Sequence, residues 1–337
     1  FDNSENDPRL KGVSSTKKDN VTIVKKGVFT SCKESNGCPP WSIKASEIKH
    51  DRNEKQLIYT NAFLNIYDIP ILYFPKFFHP DPTVKRQSGF LQPKLSDSTL
   101  LGSSITVPYF YAPKKDIDYT FTPRLFDKSM KMLETEFRKV GKNYKLESDF
   151  GFTNDYVSSL DNKKKNMTHL FTKLDLDLQL ENFASSDLLL TVEKVSNDTY
   201  LKVFDEYIVA NKSLKPNNFD VLNSELKISL NHKNYNLVGG FEIFENLQIK
   251  ESDRYQYVLP YYKYNKILSK DYINGSLSLL SSGTNELKNT NNVRTNIIND
   301  LSYRGFDIIS DTGFKNNLNI NFKNLNSSGK NDTEYTC

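Results

Sequence analysis

Residues 169–180 read "HLFTKLDLDLQL". In an extended chain Leu170, Thr172, Leu174, Leu176, Leu178 and Leu180 fall on one side, and Phe171, Lys173, Asp175, Asp177 and Gln179 on the other. Successive side chains of a strand point to opposite faces, so this period of two, with one face almost pure leucine, specifies a strand between an apolar and a polar medium.

The alternation recurs along the chain. It is present in "IDYTFTPRLF" (117–126), "MLETEFRKV" (132–140), "ELKISLNH" (225–232) and "NLNINFKNL" (317–325). Roughly a dozen runs of about 8–13 residues are separated by polar connectors, the spacing of outer-membrane strands. Some connectors are short ("FDKSM", "KVGKN") and others long ("TNDYVSSLDNKKKNM", "YIVANKSLKPNNFD"), as short periplasmic turns and long outer loops would be. The pattern predicts an all-β chain whose larger part is a stretch of antiparallel transmembrane β-barrel. A soluble β-sandwich also alternates, but its strands average five or six residues, and no predicted helix covers the charged faces here. Another outer-membrane barrel (a porin or receptor) and a soluble periplasmic lipid-binding β protein are the alternatives.

Composition agrees with a sheet that has one wet face. Mean hydropathy is -0.59 and hydrophobic content 37%, low for a large dry core, while 19 Tyr and 22 Phe supply aromatic surface. The net charge of +4 excludes the broad basic field of a dedicated nucleic-acid binder. No apolar run reaches the length of a membrane helix. The first residues, "FDNSENDPRLKG", lack the charge, apolar run and cleavage site of a signal peptide, and the end, "NDTEYTC", is abrupt; the expectation is a segment of a longer protein.

Residues 1–85 read differently. "VTIVKKGVFT", "WSIKASEIKH" and "KQLIYTNAFLNIYDIPILYF" are predicted strands, behind a polar edge or loop. In the third, Ile58, Thr60, Ala62, Leu64 and Ile66 share one face, and Tyr59, Asn61, Phe63, Asn65 and Tyr67 the other.

Catalytic and cofactor chemistry finds no foothold. His50, His79, His169 and His232 do not cluster in sequence, and the phosphate-binding, dinucleotide and nucleophile-elbow motifs do not occur. The reading is therefore not an enzyme, with neither cofactor nor metal. Cys32 and Cys38 in "SCKESNGC" lack a second pair of ligands for zinc. In an oxidising compartment they are a candidate local disulfide, or one or both pair outside this segment; Cys337 is either unpaired or paired outside it. Gly239 and Gly240 in "LVGGFEIF" mark a bulge or a close backbone approach.

The densest motif is "HPDPTVKRQSGF" at 79–90. Pro80 and Pro82 fix φ and remove two donors, which makes "HPDP" extended and unfit for a central strand. Lys85 and Arg86 follow, either as a surface pair at a membrane interface or as a binding point for an anionic lipid head group. Pro93, inside the first predicted strand "SGFLQPKLS", belongs at an edge or a weak seam.

The run from Trp41 to Phe126 resembles the LptD (Imp, OstA) family of outer-membrane lipopolysaccharide-assembly proteins. "IPILYFPKF", "HPDPTVKRQSGFLQP", "VPYFYAP" and "DYTFTPRLF", in that order and spacing, carry the resemblance across about residues 28–140. It implies that 1–85 are the C-terminal part of a periplasmic β-jelly roll and 86–337 the N-terminal portion of a large barrel. It implies a jelly-roll groove for the acyl chains, faced by Ile58, Ala62, Leu64 and Ile66 or else by Tyr59, Phe63 and Tyr67. Pro80 and Pro82 would be the interdomain connector, and Phe90, Pro93, Lys85 and Arg86 the lipid path or lateral seam. The implied partners are lipopolysaccharide, an LptE-like lipoprotein plug and an LptA-like periplasmic bridge protein. The family also places disulfides between its two domains.

Overall fold

The computed structural model describes residues 9–30, 41–81, 84, 86–127, 129–157, 163–208, 214–250, 254–269, 274–288 and 291–331. Cys32, Cys38, Cys337, Pro82 and Lys85 lie outside them. The chain is almost entirely strand, in large antiparallel sheets, as the alternation predicts. It forms two compact units, residues 1–136 with 153–165, and residues 137–152 with 166–337. No helix among the described residues is long and apolar enough to cross a membrane, which says nothing about strands.

The first unit opens with a six-stranded antiparallel sheet: β1 (Arg9–Lys11), β2 (Ser14–Lys18), β3 (Val21–Thr30), β4 (Trp41–Asp51), β5 (Gln56–Ile66) and β6 (Ile69–Pro80), in the order β1-β3-β4-β5-β6 with β2 also on β3. Its core is Val24, Phe29, Trp41, Ile43, Ala45, Ile48, Leu57, Tyr59, Ala62 and Leu64. At about 1.5–3 kcal/mol for each large apolar side chain fully buried, this cluster is the main source of the sheet's stability.

The inward face changes parity halfway along these strands. In β5, Leu57 and Tyr59 are buried, then Ala62, Leu64 and Ile66; Ile58 is only half-buried and lies outside the core, so the single face Ile58-Ala62-Leu64-Ile66 expected from strict alternation does not form. The cause is Asn61, whose φ of 47° advances the pleat by one residue. The same switch separates Val24 from Gly27 and Phe29 in β3, and Ala45 from Ile48 in β4. The pairing aligns Lys26 (φ 47°), Ser46, Asn61 and Pro75 in one row across four strands. Ser46 Oγ donates to the Thr60 carbonyl at 2.8 Å along this row, and Pro75 has no N–H to leave unpaired there.

After the connector come β7 (Gly89–Phe90), β8 (Lys94–Ser98), β9 (Gly102–Thr106), β10 (Tyr109–Lys114), β11 (Ile117–Phe126), β12 (Lys131–Val140), β13 (Tyr144–Val157) and β14 (Lys164–Asp177), the last three crossing between units. In the first unit β10 pairs with β7 and β11, and β9 with β8 and β11.

The second unit continues with β15 (Ser185–Val195), α1 (Tyr200–Val203), α2 (Asp205–Ile208), β16 (Val221–Asn231), β17 (Tyr235–Asn246), β18 (Tyr255–Ser269), β19 (Gly275–Lys288), β20 (Asn292–Gly305), β21 (Ile308–Ile309), β22 (Lys315–Asn316) and β23 (Asn319–Lys330). From β14 each strand pairs antiparallel with the next, ending β19-β20-β23, and β21-β22 is a separate hairpin. The leucine face of 169–180 is propagated sideways: Leu174 opposes Leu190, which opposes Leu226, which opposes Phe241. The other face carries the row Lys173, Thr191, Glu225, Glu242. Such cross-strand neighbours stabilise a sheet by about 0.2–1 kcal/mol each. Gly239 and Gly240 stay in the ladder and the register shifts between Gly240 and Glu242; a Cβ on Gly240 would stand 2.2 Å from the Leu226 carbonyl oxygen, the close approach the sequence suggested.

The segment 196–208 leads into the polar connector expected at 207–220. It contains both short helices, and Tyr200, Leu201, Phe204 and Ile208 are fully buried. His169 Nδ1 meets the Tyr200 hydroxyl at 2.7 Å, and Gly151 leaves the room that its imidazole occupies. At the same end Glu245 gathers Arg254 and Lys194, and Arg254 reaches Asp198. The short-long alternation of connectors is incomplete: 289–291 is short and 306–318 long.

Candidate site at the junction of the first sheet and the following strands

The junction is built by β6, the described residues between Asp81 and Ser88, and β7 to β11, all in the first unit. β6 is the edge strand of the first sheet, where its three prolines cost no ladder partner on the far side. Pro80 is its last residue, paired with Gln56, so the connector begins at Asp81. Gly89 opens β7 against it: a Cβ there would stand 2.4 Å from Pro80 Cδ.

Aromatic rings run through this contact without a gap. The centroid of Phe29 lies 6.2 Å from that of Tyr59, Tyr59 stacks on Phe77 at 4.6 Å, Phe77 meets Phe90 at 6.1 Å, and Phe90 meets Tyr109 at 5.0 Å. Phe74 flanks the run, 5.1 Å from Phe77 and 5.9 Å from Phe90. Phe74, Phe77 and Val107 also pack on the buried core of the first sheet. Offset and edge contacts at these spacings are the favourable aromatic geometries.

The strands that receive this run are broken by proline. β7 holds only two pairs, Gly89 with Phe110 and Phe90 with Tyr109. Leu91, Gln92 and Pro93 leave the ladder before β8, so the single first strand expected across Pro93 is two short ones. Val107 and Pro108 interrupt the neighbouring strand at the same level, bridged by a bond from the Leu91 N–H to the Pro108 carbonyl at 2.8 Å. Among the described residues β7 pairs only with β10, and β8 only with β9. Each missing ladder bond removes about 0.5–1.5 kcal/mol of hold.

Polar groups fix the connector at both ends. Asp51 accepts from the backbone N–H groups of Asn53 and Glu54; the Glu54 bond first, then neighbouring Lys49, hold its carboxyl below the ordinary carboxylate range. That turn presents two carbonyls: Lys55's accepts from the Asp81 N–H at 2.9 Å, and Glu54's from Gln87 Nε2 at 3.4 Å. The Asp81 carboxylate, buried, meets His50 Nε2. Beside it, His79 Nδ1 donates to the Pro80 carbonyl at 2.6 Å, which leaves Nε2 to accept from the Tyr59 hydroxyl at 2.6 Å. Burial holds the His79 pKa below its ordinary value despite Pro80 and Asp81, and pushes the Tyr59 hydroxyl well above its own. On the strand side, Arg86 donates from Nη1 to the Lys114 carbonyl at 2.9 Å, and from Nη2 to the Ile117 carbonyl and Asp118 Oδ2, both at 3.0 Å.

Of the residues singled out by sequence, Phe90 lies in the aromatic run, Pro93 in the strand break, Pro80 against Gly89, and Arg86 on the turn at 114–118. Ala62, Leu64 and Ile66 are buried in the first sheet, beyond the parity switch from Tyr59. Phe29, Phe74, Phe77, Val107, His50, Asp81 and Asp118 were not singled out. The aromatic density of "LYFPKFF" was the available signal for two of them. Among the described residues no group of three or more His, Cys, Asp or Glu is placed to hold a metal ion.

No family model matches the chain. Curated relatives do. It is 32% identical over 177 residues to the LPS-assembly protein LptD of Pseudoalteromonas translucida, covering 52% of this chain and 22% of that one. It is 37% identical over 120 residues to LptD of Shewanella frigidimarina (36% and 15%), and 29% over 188 residues to LptD of Pseudomonas fluorescens (56% and 18%). Among solved structures, Pseudomonas aeruginosa OccK10 aligns with 98% of this chain and 95% of its own at a TM-score of 0.31 and 10% identity, a similarity too low to bear on the fold. The chain spans about a fifth of the length of the curated relatives it matches. Over a third to a half of its own length, this chain is similar to part of the LPS-assembly protein LptD, a protein named for assembly rather than for an enzymatic reaction.

Proposed function

We propose that this chain is a portion of an LptD-like lipopolysaccharide transporter of the outer membrane. Residues 1–85 are the end of a periplasmic jelly roll, and 86–337 the leading strands of a barrel. Lipid passes from the groove of the first sheet to the barrel and leaves sideways at a seam formed by the first strand. The partners are lipopolysaccharide itself, an LptE-like plug in the barrel and an LptA-like bridge on the jelly roll.

The observation that carries this reading is the run of half-buried rings from Phe74 and Phe77 through Phe90 to Tyr109, seated on the buried Tyr59 and ending where proline interrupts two neighbouring strands. Each methylene exposed to water costs about 0.8 kcal/mol, so baring one acyl chain of a dozen carbons would cost about 10 kcal/mol. A carrier that keeps apolar surface beside the chain throughout avoids that barrier. The proline-broken ladder then supplies an edge that opens at the loss of few hydrogen bonds. No bond in the lipid is made or broken, so the work is transport.

The test is photocrosslinking in the full-length protein in cells, with a benzophenone amino acid at position 77 or 90. Lipopolysaccharide adducts at both positions are expected. Adducts at neither, with the protein correctly inserted, would refute the path.

A further inference from the structure

Resting on the proposed path, we infer that Arg86 is a positioning residue, the latch that keeps the first sheet and the broken strands in line so that Phe90 stays against Phe74 and Phe77. The argument starts from its acceptors. One guanidinium takes two backbone carbonyls, Lys114 and Ile117, and the Asp118 carboxylate, all within 3.0 Å. Those groups form the turn between β10 and β11. The next residue, Gln87, donates to the Glu54 carbonyl in the turn between β4 and β5. Two consecutive side chains therefore tie a turn of the first sheet to a turn of the following strands. Ser88 adds a third tie, its Oγ accepting from the Ala112 N–H at 2.9 Å. The backbone between them is short, so a latch here sets where Gly89 and Phe90 can lie. Phe90 is the ring that joins Phe77 to Tyr109; a drift of the 114–118 turn away from the connector carries β10, and Tyr109 with it, off Phe90.

The residue type matters. A planar fork of fixed donors serves acceptors spread over three residues, whereas a lysine ammonium is a single point that reaches one or two of them. Three of its five N–H donors are engaged on the turn.

The experiment uses the full-length protein in cells, with the three cysteines of this stretch and any others replaced by serine. Cysteines are placed at Glu54 and Lys114, whose backbone carbonyls, not side chains, are the acceptors. A short bismaleimide reports whether the two turns stay together. Arg86→Ala is expected to shift the closed arrangement by about tenfold, the factor carried by one charge-assisted hydrogen bond, and to lower the cross-link yield accordingly. Arg86→Lys is expected to fall between, and Asp118→Asn, which leaves both carbonyl bonds, to stay near the parent. In the same strains a benzophenone at position 109 should lose its lipopolysaccharide adduct in Arg86→Ala while one at position 77 keeps it. If Arg86→Ala leaves the cross-link unchanged, or if Arg86→Lys and Arg86→Ala behave alike, the latch is refuted although the lipid path stands. If the parent gives no adducts at 77 and 109, the path falls, and the cross-link still judges the latch on its own. Protein level and barrel insertion, followed by heat-modifiable gel mobility, separate either result from failure to fold.

Discussion

Gly89→Ala places one methyl where the structure has no room. The added Cβ would stand 2.4 Å from Pro80 Cδ, 3.2 Å from Pro80 Cγ and 3.4 Å from His79 Cα. Carbon atoms rest at about 3.5–4.0 Å, so the nearest contact is more than 1 Å short. The obstructing atoms are a ring and a backbone, neither of which can swing aside. β7 must therefore retreat from β6, and its two pairs with β10 and the Phe90 contacts with Phe74 and Phe77 are strained together. Overpacking of this kind costs about 1–3 kcal/mol, and the stiffer unfolded chain of an alanine variant returns about 0.4–1 kcal/mol of it to neither state's contacts but to the entropy balance. A net loss of about 1–2 kcal/mol is expected. Trp41, the single tryptophan of the chain, sits buried in the first sheet beside Phe29 and reports the unfolding of that sheet by fluorescence in a urea titration. Pro80→Ala removes the obstructing ring carbons, so the Gly89→Ala penalty should shrink by about half or more in the Pro80→Ala background, a coupling read from a double-mutant cycle. A Gly89→Ala midpoint equal to the parent, or a penalty that Pro80→Ala leaves untouched, would show that β7 does not lean on β6 in solution.

Three further outcomes follow from the same geometry. Tyr59→Phe strands the buried Nε2 of His79 and should cost about 1–3 kcal/mol in the Trp41 titration. His79, held below its ordinary value of 6.5 by burial, takes up a proton less readily folded than unfolded. Between the two values the unfolded state binds more protons, so stability should fall as pH drops through 6.5, by up to about 1.4 kcal/mol per unit, and be flat above it; His79→Gln should flatten that acid limb. Phe204→Ala empties a fully buried position beside α1, and a loss of about 3–5 kcal/mol should appear as faster protease cleavage within 200–208 than in the parent.

What was legible in the sequence follows from which interactions are local. Alternation in 169–180 is a property of one strand, and pairing with β15 and β16 extends it without changing it. Pro93 and Pro80 were legible because a missing N–H is written in the residue type. The inward face of β5 was not, because nothing in the residue types Asn61 and Lys26 announces the positive φ at which the strands change face. Nor was the helix pair at 200–208: each helix is four residues, too short for periodicity, and is held by tertiary burial of Tyr200, Leu201, Phe204 and Ile208. The junction was found through its connector, but the bonds of Arg86 to the 114–118 turn were not legible, because the carbonyls of Lys114 and Ile117 lie far along the chain.

The row Lys26-Ser46-Asn61-Pro75 bears on how the first sheet avoids assembling wrongly. In an evenly alternating strand a slip of one residue turns every side chain to the wrong face, but a slip of two restores inside and outside and leaves only end effects to oppose it. Here each strand changes face once, at a fixed place. A two-residue slip of β5 against β4 would bring Asn61 opposite Lys44 or Ile48 and leave a stretch where one strand has turned and its neighbour has not. Apolar and charged side chains would be crossed over that stretch. The row is thus a keyway: it rejects the slip that alternation alone permits.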